Sequence, residues 1–84
     1  MPLYERIMKT FALNLRSARA REGYKSAQKF AEKMGIDPHT YRKYERGETE
    51  PGFETLTRIC AELKITPNEL LPQAAGKHPF RQVA

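Results

Sequence analysis

Few side chains in this sequence can do chemistry, and most of those that can are donors of hydrogen bonds and positive charge. His39 and His78 have no second ligand at metal spacing, so no metal is expected. Cys60 shares an apolar helical face with Phe53, Leu56, Ile59 and Leu63, and reads as a small core residue rather than a nucleophile. There is no glycine-rich loop of the P-loop or Rossmann kind to cradle a phosphate. The expectation is therefore a protein that is not an enzyme and uses no cofactor. What remains is a basic group on one short segment, Gly35 to Gly47, where Pro38, His39, Arg42 and Lys43 look to one side. Tyr41 and Tyr44, three apart, lie on the opposite face with Glu45 beside them.

That segment carries its own start and stop. Asp37 can accept hydrogen bonds from the first free backbone N–H groups of a helix. Pro38 follows at the first helical position, where a missing N–H costs nothing. Gly47 can take the left-handed conformation that ends such a helix. A helix this short uses the chain poorly unless its polar outer side meets a partner.

The charge distribution suggests what kind. The net charge is +5, but residues 1–46 hold eleven Lys and Arg against five Asp and Glu, whereas the remainder holds four against five. A basic half suits a polyanion, because each phosphate neutralised releases counterions. The same charge also suits a solvated surface that keeps a small protein in solution.

The elements that must position these groups are helical, since alternating strand patterns are nearly absent. Phe11, Leu15, Ala18 and Glu22 follow one helical face, with Thr10 as a candidate cap and Gly23 as a stop. Leu3 and Ile7 continue that face backwards and would start the helix near Pro2 instead. Ser26 caps a second helix with Ala27, Phe30, Ala31 and Met34 inward, ended by Gly35. After the third helix and a polar turn at Glu48–Pro51, a fourth spans about Gly52–Leu63 with Phe53, Leu56, Ile59, Cys60 and Leu63 inward. Thr66-Pro67-Asn68-Glu69 opens a short fifth helix, and Leu70 and Leu71 close the core before Pro72. The expected architecture is all-α: a five-helix domain over residues 10–72, an N-terminal extension at 1–9 and a flexible tail at 73–84. At 84 residues one core is all the chain can build, no apolar run reaches the ~18–20 residues of a membrane span, and one cysteine fits a reducing compartment. Helices two and three are joined only by Gly35, Ile36 and Asp37, the spacing of a helix-turn-helix.

The segments Leu15–Arg19, Phe30–Ile36, Tyr44–Gly47, Glu50-Pro51, Glu54–Leu56 and Asn68–Leu71 together resemble the phage-repressor/Cro-type (XRE) helix-turn-helix family over roughly Phe11 to Leu71. The resemblance implies a lambda-repressor-like fold that places helix three in the DNA major groove while helix two crosses the backbone. It puts Pro38, His39, Arg42 and Lys43 at the base edges, with Arg42 able to hold guanine O6 and N7 together. Thr40 is implied to touch a phosphate or a thymine methyl. The family's usual Thr-Gln start of helix two is Ser26-Ala27 here, so the glutamine that clamps the backbone is missing. Gln28 stands one place later, about 100° further round the helix. Lys25, Ser26, Gln28 and Lys29 are the candidates for phosphate contact, with Gly52 and Phe53 at the start of helix four. Arg19 and Glu45 match a family ion pair that bridges helices one and three, and Lys64 replaces a frequent helix-ending glycine.

By the same resemblance the protein is expected to be a cytoplasmic, bacterial or phage-encoded transcription regulator. It would be a repressor acting as a homodimer on a pseudo-palindromic operator in double-stranded DNA. Leu70 and Leu71 are the expected dimer contact, with the apolar stretch Leu3–Phe11 as an alternative. No membrane and no small-molecule ligand are expected as partners. Two other readings stay open: an antitoxin whose residues 1–9 or 73–84 bind a toxin, and an adaptor that uses the fold without DNA. Activation by touching RNA polymerase is a variant of the first reading.

Overall fold

A computed structural model of the chain describes residues 2–72. The tail assigned to 73–84, and with it His78, lies outside the described residues. Four α-helices follow in order: α1 Leu3–Arg21, α2 Ala27–Met34, α3 Pro38–Arg46 and α4 Phe53–Leu63. A 3-10 helix at Pro67–Leu70 follows them, and no strand occurs among the described residues.

α1 starts at the earlier of the two expected points, with Pro2 in the cap position, so Thr10 is a helix-interior residue and caps nothing. The reason is the apolar stripe Ile7, Met8, Phe11, Leu15, which continues through Thr10 and packs on the rest of the domain. Met8 and Phe11 are buried, whereas Leu3 remains exposed at the tip. α2 is capped by Ser26, whose Oγ accepts from Lys29 N–H at 3.0 Å, and ends on Gly35 at φ 73°. α3 begins on Asp37, whose Oδ2 accepts from Thr40 N–H at 3.0 Å, and ends on Gly47 at φ 74°. Gly47 has a second constraint: a Cβ there would stand 3.3 Å from the Met8 carbonyl oxygen on α1. A side chain there would need α1 to give by a few tenths of an ångström.

The expected fifth α-helix is replaced by the four-residue 3-10 helix. Pro67 at the first position costs nothing, but Pro72 keeps the residue before it, Leu71, extended and stops the helix after one turn. The core is built from Leu15 of α1, Phe30 of α2, Tyr41 of α3, Ile59 and Leu63 of α4, and Leu70, all fully buried. Rings run through it in a chain, Tyr24–Phe30–Tyr41–Tyr44, with centroids 4.9, 5.3 and 5.9 Å apart. Such tilted and edge-on pairs are the favoured aromatic geometry.

Two expected core residues lie outside it. Phe53 is 83% exposed and Leu71 is 42% exposed. Phe53 belongs to the α4 apolar stripe by spacing, but as the first residue of the helix it projects past the end of the core. Both line an open groove with Ile7, Met8, Phe11 and Leu56.

Candidate nucleic-acid interface

The inner side of α3 is fixed by a buried polar network. Glu45, 6% exposed, accepts from Arg19 Nε at 2.6 Å on one carboxylate oxygen and from Arg19 Nη2 at 3.1 Å on the other. The Tyr41 hydroxyl, one turn earlier on α3, donates to the same carboxylate at 2.6 Å. Arg19 Nη1 donates to the Tyr24 carbonyl at 2.7 Å, and Arg16 reaches the Glu45 carbonyl at 3.4 Å. No buried side-chain polar atom among the described residues lacks a partner, the condition under which a buried charge pair is tolerable. Burial, then the hydrogen bond to Glu45, pushes the Tyr41 phenol far above its usual range. The Glu45 carboxylate likewise raises Arg19. One network therefore ties α1, α3 and the α1–α2 connection into a rigid mount.

The outer side of α3 is free to face a partner. His39 is exposed, while Pro38, Arg42 and Lys43 are half-buried. Thr40 turns back towards its own cap, its hydroxyl donating to Asp37 Oδ2 at 3.2 Å. The two Thr40 donors, the backbone N–H foremost, hold the Asp37 carboxyl below the usual carboxylate range. At the start of α2, Lys25 and Lys29 are exposed and Ser26 is half-buried on its capping bond. Gly52 and Phe53 are exposed at the start of α4, where the first turn leaves free N–H groups.

Gln28 stands in a different place from the one its sequence position suggests. Its Oε1 accepts from Arg42 Nη2 on α3, and its Nε2 donates to Glu32 Oε2 at 2.9 Å. The structure thus brings a residue expected at a phosphate against the residue expected at a base. The i,i+4 spacing of Gln28 and Glu32 was open to a reader of the sequence, but the bridge to Arg42 was not. The Tyr41–Glu45 bond is likewise a legible i,i+4 pair that sequence reading missed. Of the two residues expected at a dimer contact, Leu70 is 1% exposed, and its carbonyl accepts from Asn14 Nδ2 at 3.2 Å. A side chain filling its own core cannot also be an interface, so only Leu71 of that pair reaches the surface.

A capped helix with a basic outer face, set three residues after another capped helix, is the geometry of one known motif. A family profile described as helix-turn-helix matches residues 15–70, more than half of the chain. The chain belongs to the XRE-type helix-turn-helix family. Among its helix-turn-helix relatives is the SPbeta prophage-derived, uncharacterized HTH-type transcriptional regulator YonR of Bacillus subtilis strain 168. The two are 38% identical over 61 residues, covering 73% of this chain and 56% of YonR. The chain therefore matches little more than half of that relative's length. Solved structures of regulators also superpose on the chain. The restriction-modification controller protein C.AhdI from Aeromonas hydrophila gives a TM-score of 0.67 at 26% identity, covering 76% of this chain and 96% of that one. The clp gene regulator ClgR from C. glutamicum gives 0.66 at 28% identity, covering 82% and 83%.

Proposed function

We propose that this helix-turn-helix protein is a sequence-specific DNA-binding transcriptional regulator, acting as a homodimeric repressor on a pseudo-palindromic operator. The observation that carries the reading is the outer face of α3. Arg42 and Lys43 are held outward, with exposed His39 one turn earlier, by a helix whose opposite side is anchored through Glu45. The names of the related proteins, all regulators or controllers, support it. So does the basic bias of residues 1–46. Pro38, His39, Arg42 and Lys43 are the proposed base readers, and Lys25, Ser26 and Lys29 the phosphate contacts at the start of α2. The free N–H groups at Gly52 and Phe53 hold a second phosphate.

Repression follows from occupancy of a promoter and needs no catalysis. A module of this size buries limited DNA surface, which is why two copies on half-sites one helical turn apart are proposed. Leu71, with the exposed apolar positions at the start of α1, is the surface proposed for pairing. No helix among the described residues is long and apolar enough to cross a membrane, and the proposed site of action is the bacterial cytoplasm. Selection of bound duplexes from a random pool at physiological salt tests the reading. A palindromic motif with two half-sites is expected, and recovery of no enriched sequence would overturn it.

A further inference from the structure

We propose that Gln28 is a positioning residue for Arg42, not a phosphate clamp, and that Glu32 sets its orientation; the inference rests on the DNA-binding reading above. Three side chains form a relay across the α2–α3 groove. Glu32 Oε2 accepts from Gln28 Nε2 at 2.9 Å, and Gln28 Oε1 accepts from Arg42 Nη2. The two contacts fix the amide in one sense only. An amide oxygen accepts and an amide nitrogen donates. A flipped Gln28 would set its NH2 against the guanidinium and its oxygen against the carboxylate, both repulsive.

The same geometry argues against a phosphate role. The atom that would donate to a phosphate is Nε2, and one of its two N–H groups is already engaged by a carboxylate. A phosphate approaching it would meet the negative charge of Glu32 at close range. Arg42 has no such conflict: of its five N–H donors one goes to Gln28, and four remain, enough for the two-pronged grip on guanine O6 and N7. Holding a long side chain in place before binding removes part of the ordering cost that association otherwise carries, typically worth about three- to tenfold in affinity.

The test has two arms. In the free protein, relaxation of the Arg42 Nε–H group by NMR reads its order without DNA. Wild type is expected to be ordered and Gln28→Ala mobile; equal mobility in both would overturn the proposal. In the second arm, wild type, Gln28→Ala, Glu32→Ala, Arg42→Ala and the Gln28/Arg42 double variant are titrated on the selected site and its single-base substitutions. Gln28→Ala is expected to lose about three- to tenfold of discrimination at the one position per half-site that Arg42→Ala also relaxes. It should leave the salt slope unchanged and add nothing in the Arg42→Ala background. Glu32→Ala should reduce discrimination at that same position by a smaller factor. Uniform weakening on every sequence that persists in the Arg42→Ala background would show a phosphate contact instead and overturn the proposal. Absence of any sequence preference in wild type would fall on the DNA-binding reading, while the first arm would still decide whether Gln28 orders Arg42. All three residues except half-buried Arg42 are exposed, so thermal melts of the variants serve as the control for folding.

Discussion

Replacing Glu45 with alanine removes the acceptor at the centre of the mount that holds α3. Two Arg19 donors and the Tyr41 hydroxyl lose their partner at once, in surroundings where Glu45 and Arg19 are 6% and 7% exposed. Breaking a buried pair by removing one member costs about 3–5 kcal/mol, because the remaining charge is stranded. Arg19 keeps one bond, from Nη1 to the Tyr24 carbonyl, which offsets only a small part. A domain of this length has a total stability of about 4–12 kcal/mol. At about 4–8 °C per kcal/mol for this size, the melting temperature should fall by at least about 12 °C. Thermal unfolding followed by far-UV circular dichroism measures it. Tyr41→Phe, which leaves the Arg19–Glu45 pair intact, should cost only about 1 kcal/mol. At a temperature where both proteins are folded, the base preference of Glu45→Ala should match wild type, since Glu45 faces away from the proposed DNA surface. A melting point within about 5 °C of wild type would refute the idea that this network anchors the helix.

Lys64 ends α4 at φ 60°, the positive-φ position among the described residues that is not occupied by glycine. Lys64→Gly should raise stability by up to about 1 kcal/mol in a thermal melt, and an unchanged or lower melting point would contradict the strain argument. The Asp37 and Glu48 carboxyls are held below their usual ranges, by Thr40 and by Arg46 respectively. A depressed folded pKa gives stability that is present above about pH 4 and lost as pH falls through the lower folded values. Melts across the acid range should therefore show a falling limb below about pH 4, and Asp37→Ala should make it shallower. Tyr41 is raised, so its contribution is complete below about pH 10 and is lost as pH rises beyond; Tyr41→Phe should flatten that alkaline limb. On the selected DNA, Arg42→Ala should cost about 1–3 kcal/mol of discrimination at one position per half-site, whereas Lys25→Ala should weaken all sequences alike.

Helix ends were readable in the sequence because capping is local. Ser26, Gly35, Asp37, Pro38 and Gly47 stand where their chemistry requires. The juxtaposition of Arg19 and Glu45, twenty-six residues apart, came from resemblance to a family, since nothing local in either residue announces the other. Periodicity failed at the ends of the core. It placed Phe53 and Leu71 on apolar stripes but carries no information on where the opposing surface stops. It also could not say whether Thr10 or the stripe before it governs the start of α1; packing of Met8 and Phe11 decided that. The last helix shrank to a 3-10 turn because Pro72 holds Leu71 extended, a length effect that capping signals alone do not show. At the candidate site, the types of the outward residues were legible. The grip of Gln28 on Arg42 was not, because it depends on how two helices lie across each other.

The central claim is that the outer face of α3 and the start of α2 meet DNA. Titration of the selected duplex into isotopically labelled protein, followed by amide chemical shifts at two salt concentrations, tests it most directly. Shifts concentrated at Lys25–Lys29, His39–Lys43 and Gly52–Phe53, weakening steeply at the higher salt, are the predicted result. Shifts confined to α1 and Leu71, or shifts that ignore salt, would contradict it.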